Sequence, residues 1–225
     1  MRCTSFSQNE DSVELQFSNA HTNTSMSVSA QIAVACDGVN SVIRKQMHPQ
    51  DALCFAGINT WRGVTVHKPI LTGKSYLRIG TVEVGKMVIY PIIDNVDGKG
   101  NQLINWVAEL QKPNAAMNDW NRQGDPAVCA EIFKDWSFDF LNVPELILKA
   151  EKVFEYPMVD KDALPFWTQG RVTLMGDAAH PMYPRGSNGS AQALIDARTL
   201  ADQLSQQADP KEALKAYEAL RLAPT

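Results

Sequence analysis

Residues 176–204, GDAAHPMYPRGSNGSAQALIDARTLADQL, follow the short apolar run RVTLM (171–175). The run predicts a buried β-strand, and Gly176-Asp177 marks the place where that strand ends. Ligands of open α/β sheets bind beyond the carboxyl ends of the strands, where an aspartate can accept hydrogen bonds from sugar hydroxyls. A turn former or a helix cap is an equally good explanation of Asp177, so this pair alone leaves both roles open.

The next segment, PRGSNG, predicts a glycine-rich turn that opens a long helix. Pro184 fixes the backbone, Gly186 and Gly189 remove side chains from it, and Ser187 or Asn188 can cap the helix. The first N–H groups of a helix are unpaired, and the helix dipole makes this end positive. The segment therefore predicts either an anion site built from backbone or an ordinary loop before a helix.

Apolar residues recur along this helix at spacings of three and four, which predicts one buried face. That face comprises Leu194, Ala197, Leu200, Ala201 and Leu204. A last helix is predicted to begin at Asp209-Pro210 and to bury Ala213, Leu214, Tyr217 and Leu220.

A second strand end lies near the start of the chain. The apolar run Ile32–Cys36 is followed by Asp37-Gly38 and then by VNSVIRKQM, which predicts one or two helical turns. Asp37 again fits either a ligand contact or a cap, and Cys36 fits a small buried side chain. Arg44 in the short helix is, from the residues alone, a surface arginine.

The segment between the two strand ends predicts a mostly antiparallel sheet. Short runs rich in β-branched and aromatic residues alternate with turn residues, and Asn95–Asn101 predicts a hairpin loop. Two helical pieces follow, the first capped by Asp125 with Pro126 at its first position, the second near VPELILKA. The chain as a whole is therefore predicted to be α/β with a β-rich insertion.

Composition narrows the classes of function. The chain has 225 residues, of which 44% are hydrophobic and 20% charged, and a formal net charge of −4. Without a basic cluster or a long apolar run, neither a nucleic-acid partner nor a membrane segment is predicted. Its four cysteines are far apart and form no CxxC, so we expect reduced thiols in a cytoplasmic protein, and no metal site.

Two motifs in the chain resemble those of one enzyme family. The strand–GDAAHPMYP–RGSNG–helix pattern, with D-A-x-x-L-A in the helix, resembles the second flavin-binding motif of the single-component FAD-dependent aromatic hydroxylases. ACDGVNSVIRK resembles the family's other diagnostic motif, in the right order and at a fitting distance. INTWRGVT and GSNGSAQALIDA are similar to segments of the phenazine hydroxylases, within the phenazine- and salicylate-hydroxylating branch.

The resemblance implies a fold and a domain organisation. It implies an incomplete, Rossmann-like FAD-binding domain with an inserted, mostly antiparallel β-sheet substrate domain. Residues 1–50 and 168–225 would belong to the FAD-binding domain, and residues 51–167 would form the substrate domain.

The resemblance also implies which residues bind the cofactor. Asp177, after Gly176, would hold the ribityl chain of FAD, and Pro184 would lie beside the isoalloxazine ring. Backbone N–H groups for the pyrimidine edge of the flavin would come from Gly186, Ser187, Asn188 and Gly189. Asp37, Gly38 and Arg44 match a motif that serves both FAD and the nicotinamide cofactor.

The implied activity is an NAD(P)H- and FAD-dependent monooxygenase that hydroxylates a small aromatic substrate through a flavin C4a-hydroperoxide. No catalytic acid or base is identified. Two alternatives stay open. One is a non-catalytic interaction module, which pairs as a homodimer or complements a separate N-terminal chain, and the other is a flavin reductase or other non-hydroxylating oxidoreductase on the same scaffold.

One expected element of the family is not found in this sequence. Members of the family open with a strand–GxGxxG–helix unit that cradles the FAD pyrophosphate, and none of the 13 glycines here forms that pattern. Two departures also occur within the motifs: Ala35-Cys36 stands where many relatives have Gly-Ala, and Ser187-Asn188 where many have Gln-Gly. We therefore expect a fragment that holds FAD weakly by itself.

Overall fold

A computed structural model describes residues 1–112, 122–186 and 188–225 of the chain. Its strands, in chain order, are β1 (Arg2–Gln8), β2 (Val13–Asn19), β3 (Thr24–Ala30), β4 (Ala33–Ala35), β5 (Cys54–His67), β6 (Leu77–Thr81), β7 (Gly85–Ile93), β8 (Gln102–Gln111), β9 (Arg122–Gln123), β10 (Ser137–Phe138), β11 (Leu141–Asn142), β12 (Val153–Asp160), β13 (Thr168–Gln169) and β14 (Val172–Leu174). Its α-helices are α1 (Val42–Met47), α2 (Pro126–Ile132), α3 (Val143–Leu148), α4 (Gly189–Gln206) and α5 (Pro210–Arg221).

The chain divides into two compact units. Met1–Cys54 and Asp160–Thr225 form one, called here the motif unit because it carries both sequence motifs. Phe55–Val159 form the other, called here the sheet unit. The predicted assignment of these parts to a cofactor domain and a substrate domain stays a prediction.

A parallel strand pair organises the motif unit. β4 and β14 are parallel neighbours in register from Val172 opposite Ala33 to Leu174 opposite Ala35, and β13 pairs antiparallel with β14. A separate antiparallel meander is formed by β1, β2 and β3. Because β4 and β14 run in the same direction, the segments that follow them leave the sheet at the same edge.

Helix α4 does not bury the face that the apolar spacing predicts. Leu194 is 73% exposed and Leu204 is 37% exposed, whereas Asp196 is fully buried together with Leu200. The prediction of an apolar face was wrong because buried polar contacts, rather than hydrophobic burial alone, set the rotation of this helix. In α5 the prediction holds for Ala213, Leu214 and Tyr217, but Leu220 is exposed.

The sheet unit is built on a six-stranded sheet in the order β6-β7-β8-β5-β12-β9. Neighbouring strands pair antiparallel in β6–β7, β7–β8, β5–β8 and β9–β12, which confirms the predicted antiparallel character. One face of the sheet packs on α2 and α3 through a cluster that includes Trp61, Trp106 and Phe133. The loop at residues 95–101 joins β7 to β8 as predicted, and Asp125 caps α2 through the N–H of Ala127.

Among the described residues, no helix combines the length and the apolar character that are needed to cross a membrane.

Gly63 allows β5 to lie against the largest side chain of the sheet core. It is the register partner of Trp106, and a Cβ atom at this position would lie 2.7 Å from Cε2 of the indole. Gly63→Ala should therefore lower the free energy of unfolding by about 1–3 kcal/mol, because the packed ring has to move. Urea denaturation followed by tryptophan fluorescence measures the change.

Gly186→Ala is the matched control, since a Cβ at that position would lie 3.9 Å from Cβ of Asn188, an ordinary van der Waals distance. It should change the free energy of unfolding by no more than about 0.5 kcal/mol. Equal stability of the Gly63→Ala variant and the unaltered chain would show that the sheet core adjusts freely at this point.

Candidate functional site

A cleft of about 520 Å³ opens at the carboxyl ends of β4 and β14. The residues that line it come from the two segments after these strands, from the turn before α4 and from the first turn of α4. They are Cys36, Gly38, Met175, Gly176, Asp177, Met182, Pro184, Gly189, Ser190 and Ala193. The two sequence motifs, far apart along the chain, thus meet in one cavity.

Glycines shape the cleft at two positions that require them. Gly38 has φ +81° and Gly176 has φ +60°, both in the left-handed region that other residues enter only with strain. These conformations turn the chain sharply at the end of each strand. A ligand in the cleft therefore meets backbone, rather than side chains, at both turns.

The N-terminus of α4 faces this cleft without a side-chain cap. Of the two predicted caps, Ser187 or Asn188, Asn188 occupies the N-cap position but its side chain makes no capping bond. Ser187 lies outside the described residues, so that alternative stays a prediction. The first intrahelical bond runs from Gln192 N–H to the Asn188 carbonyl at 2.9 Å. The N–H groups of the first helical turn have no acceptor within the helix, and the Asn188 side chain does not screen the positive end of the helix dipole.

Asp177 carries the cleft's exposed carboxylate. It follows Gly176 in a 3₁₀ turn, and its side chain makes no hydrogen bond or ion pair with any described residue. A Cβ atom at Gly189 would lie 3.8 Å from Asp177 Oδ1, so carboxylate and helix start are near neighbours. Pro184 also lines the cleft, and Gly186 is exposed in the same 3₁₀ turn, Pro184–Gly186.

Asp37 performs a different task from Asp177. Its Oδ2 accepts a hydrogen bond of 3.0 Å from the N–H of Val42, while Ser41 Oγ accepts one of 2.9 Å from the N–H of Arg44. Both side chains thereby cap α1. The capping role left open by the sequence is the one that this structure gives Asp37, although its neighbours Cys36 and Gly38 line the cleft.

Arg44 is not a surface arginine, as the residues alone predicted, but is fully buried. Its Nε and Nη2 bind the Asp51 carboxylate in a two-pronged pair at 2.9 and 2.7 Å. The remaining donors reach three backbone carbonyls, those of Ala178, Ala179 and Asp162. All five N–H donors of the guanidinium are therefore used inside the protein.

This pairing also controls the charge of Asp51. Burial by itself raises the pKa of the Asp51 carboxyl, but hydrogen bonds from Arg44 and Lys161 outweigh it and the pKa is lowered. Asp51 is therefore ionised at neutral pH. Arg44 Nη1, which donates to the carbonyls of Ala178 and Ala179, fixes α1 against the turn directly after Asp177.

Asp196 on α4 is the functional residue that the sequence analysis missed. Its Oδ2 accepts hydrogen bonds from the N–H of Gly176 at 3.1 Å and from His180 Nε2 at 2.5 Å. Its Oδ1 accepts one from Arg221 Nε at 2.7 Å. One buried carboxylate thus joins the strand-end turn, α4 and α5. The sequence showed Asp196 as the aspartate of the D-A-x-x-L-A motif, but nothing in the motif indicated that its side chain is buried.

Buried charges of this kind are stable only when they are fully paired. Burial raises the pKa of Asp196, but hydrogen bonds from His180, Arg221 and the N–H of Gly176 together outweigh burial and lower it. His180 completes the cluster by packing its ring on Trp167, with centroids 5.2 Å apart. These contacts give His180 a structural role.

Cys36 is exposed in the cleft, contrary to the prediction of a buried side chain. Partial burial raises the pKa of its thiol, and the negative charges of Asp37 and Asp196 raise it further. The thiol is therefore protonated at neutral pH and is a weak nucleophile.

Comparison with known proteins identifies a family and several relatives of this chain. The chain matches the protein family described as FAD binding domain over residues 1–224. It is 39% identical over 206 residues to phenazine 1,6-dicarboxylic acid hydroxylase of Lysobacter antibioticus, which covers 89% of this chain and 50% of the relative. It is 32% identical over 223 residues to 3-amino-4-hydroxybenzoate 2-monooxygenase of Streptomyces platensis, covering 98% of this chain and 52% of the relative.

A solved structure shares the fold. The 2,6-dihydroxypyridine-3-hydroxylase of Arthrobacter nicotinovorans superposes with a TM-score of 0.76 at 22% identity, over 98% of this chain and 59% of that protein. The chain spans about half the length of the curated relatives it matches.

Asp196→Asn should lower the free energy of unfolding by about 3–5 kcal/mol at neutral pH, because it leaves Arg221 buried without its counter-charge. The pKa of Asp196 is lower in the folded chain than its ordinary value of 3.8, so its contribution is complete above that value and is lost as the pH falls below it. The difference between the variant and the unaltered chain should therefore shrink at about pH 3. Urea denaturation at both pH values measures it.

Asp202→Asn, on the same helix, is the matched control. Asp202 forms an exposed pair with Arg198, and its loss should change the free energy of unfolding by less than about 0.5 kcal/mol. If the free energy of unfolding of the Asp196 variant fell by no more than this, the buried cluster would not be what holds the helices in place.

Proposed function

The chain belongs to the FAD-binding-domain family of flavin-dependent aromatic hydroxylases, and from this premise we propose that its cleft holds the flavin of an aromatic monooxygenase. The observation that carries the proposal is the meeting of two glycine turns and an uncapped helix N-terminus around one cavity. A volume of about 520 Å³ lies within the usual range of cofactor and small-molecule sites.

The chemistry of the lining residues fits a flavin. The isoalloxazine ring is broad and flat, and side chains are absent at Gly38, Gly176 and Gly189, where it would approach the backbone. Reduced flavin carries negative charge near N1, and the unpaired N–H groups at the start of α4 stabilise negative charge. The sugar-like ribityl chain offers hydroxyl groups, for which the unpartnered carboxylate of Asp177 is an acceptor.

Individual roles follow from these positions. Asp177 would accept hydrogen bonds from the ribityl chain, Pro184 would lie beside the ring, and Gly189 with Ser190 would offer backbone donors. The roles expected of Gly186, Ser187 and Asn188 in flavin binding rest on the resemblance to the family. Bound FAD would supply the redox chemistry, namely hydride uptake from a nicotinamide cofactor and activation of O₂ for the hydroxylation of an aromatic ring.

Asp37 and Arg44 would serve the cofactor indirectly. Their hydrogen bonds to α1 and to the carbonyls of Ala178 and Ala179 fix the two strand-end turns that shape the cleft. We therefore assign them a positioning role. The use of NADH or NADPH as the hydride donor rests on the family resemblance.

The substrate is proposed to be an aromatic carboxylic acid. Two relatives at 39% and 32% identity are named for such compounds, a phenazine dicarboxylic acid and an aminohydroxybenzoate. Both are oxygenating enzymes by name, so a catalytic role is favoured over a non-catalytic interaction module. A homodimer or a complementing N-terminal chain stays a prediction.

Riboflavin binding tests this assignment directly. Asp177→Ala should weaken the binding of riboflavin by about tenfold, because one hydrogen bond to a charged acceptor is lost. Quenching of flavin fluorescence during titration measures the affinity. Asp11→Ala, which removes an exposed carboxylate outside the cleft, should leave the affinity unchanged. Riboflavin affinity that is the same in both variants would remove Asp177 from the site.

FAD and riboflavin should bind this chain with affinities within about threefold of each other, a difference below roughly 0.7 kcal/mol. The sequence contains no GxGxxG loop, and the lining residues of the cleft provide contacts for the flavin and ribityl parts alone. Parallel titrations compare the two ligands. If FAD bound more than about tenfold tighter, its pyrophosphate or adenosine would have contacts that this account does not include.

A further inference from the structure

The face of the sheet opposite the cluster that packs on α2 and α3 is called here the polar face, and it also carries Val64, Val88 and Val107. Side chains alternate along a strand, so Arg62 on β5 faces away from the core residues Trp61 and Gly63. Asn105 on β8 is likewise opposite Trp106, and Tyr90 on β7 is its register partner. Arg62, Asn105 and Tyr90 therefore share this polar face.

Arg62 is exposed and has most of its donors free. Its Nε donates a hydrogen bond of 3.2 Å to Asn105 Oδ1. No residue in the described part of the chain accepts from its Nη1 or Nη2, which are the pair of nitrogens that bind a carboxylate side by side. The hydrogen bond to Asn105 holds the guanidinium in place on the sheet.

Asn105 provides an independent sign that a ligand binds here. It is only 1% exposed, yet its Nδ2 has no hydrogen-bond partner among the described residues. A buried donor without an acceptor is unfavourable, and native structures contain few of them. Its Oδ1 is bound to Arg62, so the orientation of the amide is set and the free donor lies next to the guanidinium.

Arg62 has Val107 as its register partner and lies near Tyr156. Tyr90 stacks on Tyr76 with ring centroids 5.5 Å apart. Burial raises the pKa of Tyr156, Arg62 lowers it, and Glu109 and Tyr90 raise it further, so the group stays a neutral phenol beside the guanidinium. Glu109, which also influences Tyr156, is already paired with Lys86 at 2.7 Å. The positive charge of Arg62 is therefore left for a ligand.

We propose that Arg62 and Asn105 form the binding site for the carboxylate of an aromatic ligand, whose ring lies among the tyrosines of the polar face. The guanidinium Nη groups bind the carboxylate oxygens, and Asn105 Nδ2 donates a further hydrogen bond. The identification of the ligand as the substrate rests on the proposed function. All the residues of this site belong to the sheet unit.

Calorimetric titration of the full chain with phenazine-1,6-dicarboxylate, compared with unsubstituted phenazine, tests this site. The unaltered chain should bind the dicarboxylate more tightly than phenazine. Arg62→Gln should weaken dicarboxylate binding by about tenfold or more and leave phenazine binding unchanged, because only the charge-assisted contact is lost. Asn105→Asp should weaken dicarboxylate binding at least as much, since the new carboxylate pairs with Arg62 and repels the ligand.

Arg2→Gln, which removes an exposed arginine from β1, is the control for net charge and should change neither affinity. The inference is overturned if the unaltered chain does not prefer the dicarboxylate, if Arg62→Gln binds it unchanged, or if both ligands weaken equally. Riboflavin binding separates this result from the proposed function. The affinity for riboflavin should be the same in the Arg62 variant and in the unaltered chain. If neither bound riboflavin, the proposed flavin cleft would be refuted. The comparison of the dicarboxylate with phenazine would still test the carboxylate site.

Discussion

The buried carboxylate of Asp196 is the contact on which the cleft of the motif unit depends. It receives the N–H of Gly176 at the end of β14 and the guanidinium of Arg221 on α5, while it is itself part of α4. A charge with no exposure to water is tolerated only when each of its lone pairs is satisfied, and this requirement fixes three elements in one arrangement. The cleft is the space that this arrangement leaves at the strand ends. Arg44 holds the residues that follow the same turn, because its guanidinium donates to the carbonyls of Ala178 and Ala179.

A flavin site requires that some stabilising contacts be left unmade. Asn188 could have capped α4 but does not, and Asp177 could have paired with a cation but has no partner among the described residues. Each of these unmade contacts lowers the stability of the fold. A missing helix cap costs about 1 kcal/mol. The buried networks around Asp196 and Arg44 hold the backbone in place, so these groups stay available to a ligand.

The sequence predicted the elements better than it predicted their contacts. Strand ends, turns and helix starts follow from local patterns, and the motifs around Asp37 and Asp177 were each correctly placed at the end of a strand. The buried face of α4 could not be predicted from apolar spacing, because the contact that orients the helix is made by Asp196 with residues 20 and 25 positions away. Arg44 was misjudged for the same reason: nothing local shows that distant carbonyls and Asp51 will surround a charged side chain.

The central claim is that the two strand-end turns and the start of α4 together bind the flavin ring. Amide chemical shifts of the ¹⁵N-labelled chain, followed during titration with riboflavin, test it most directly. The account predicts that the largest changes occur at Gly38, Gly176 and Gly189. It would be contradicted by changes confined to the second cleft of the motif unit, of about 460 Å³ and lined by residues such as His48 and Leu164, or to the sheet unit.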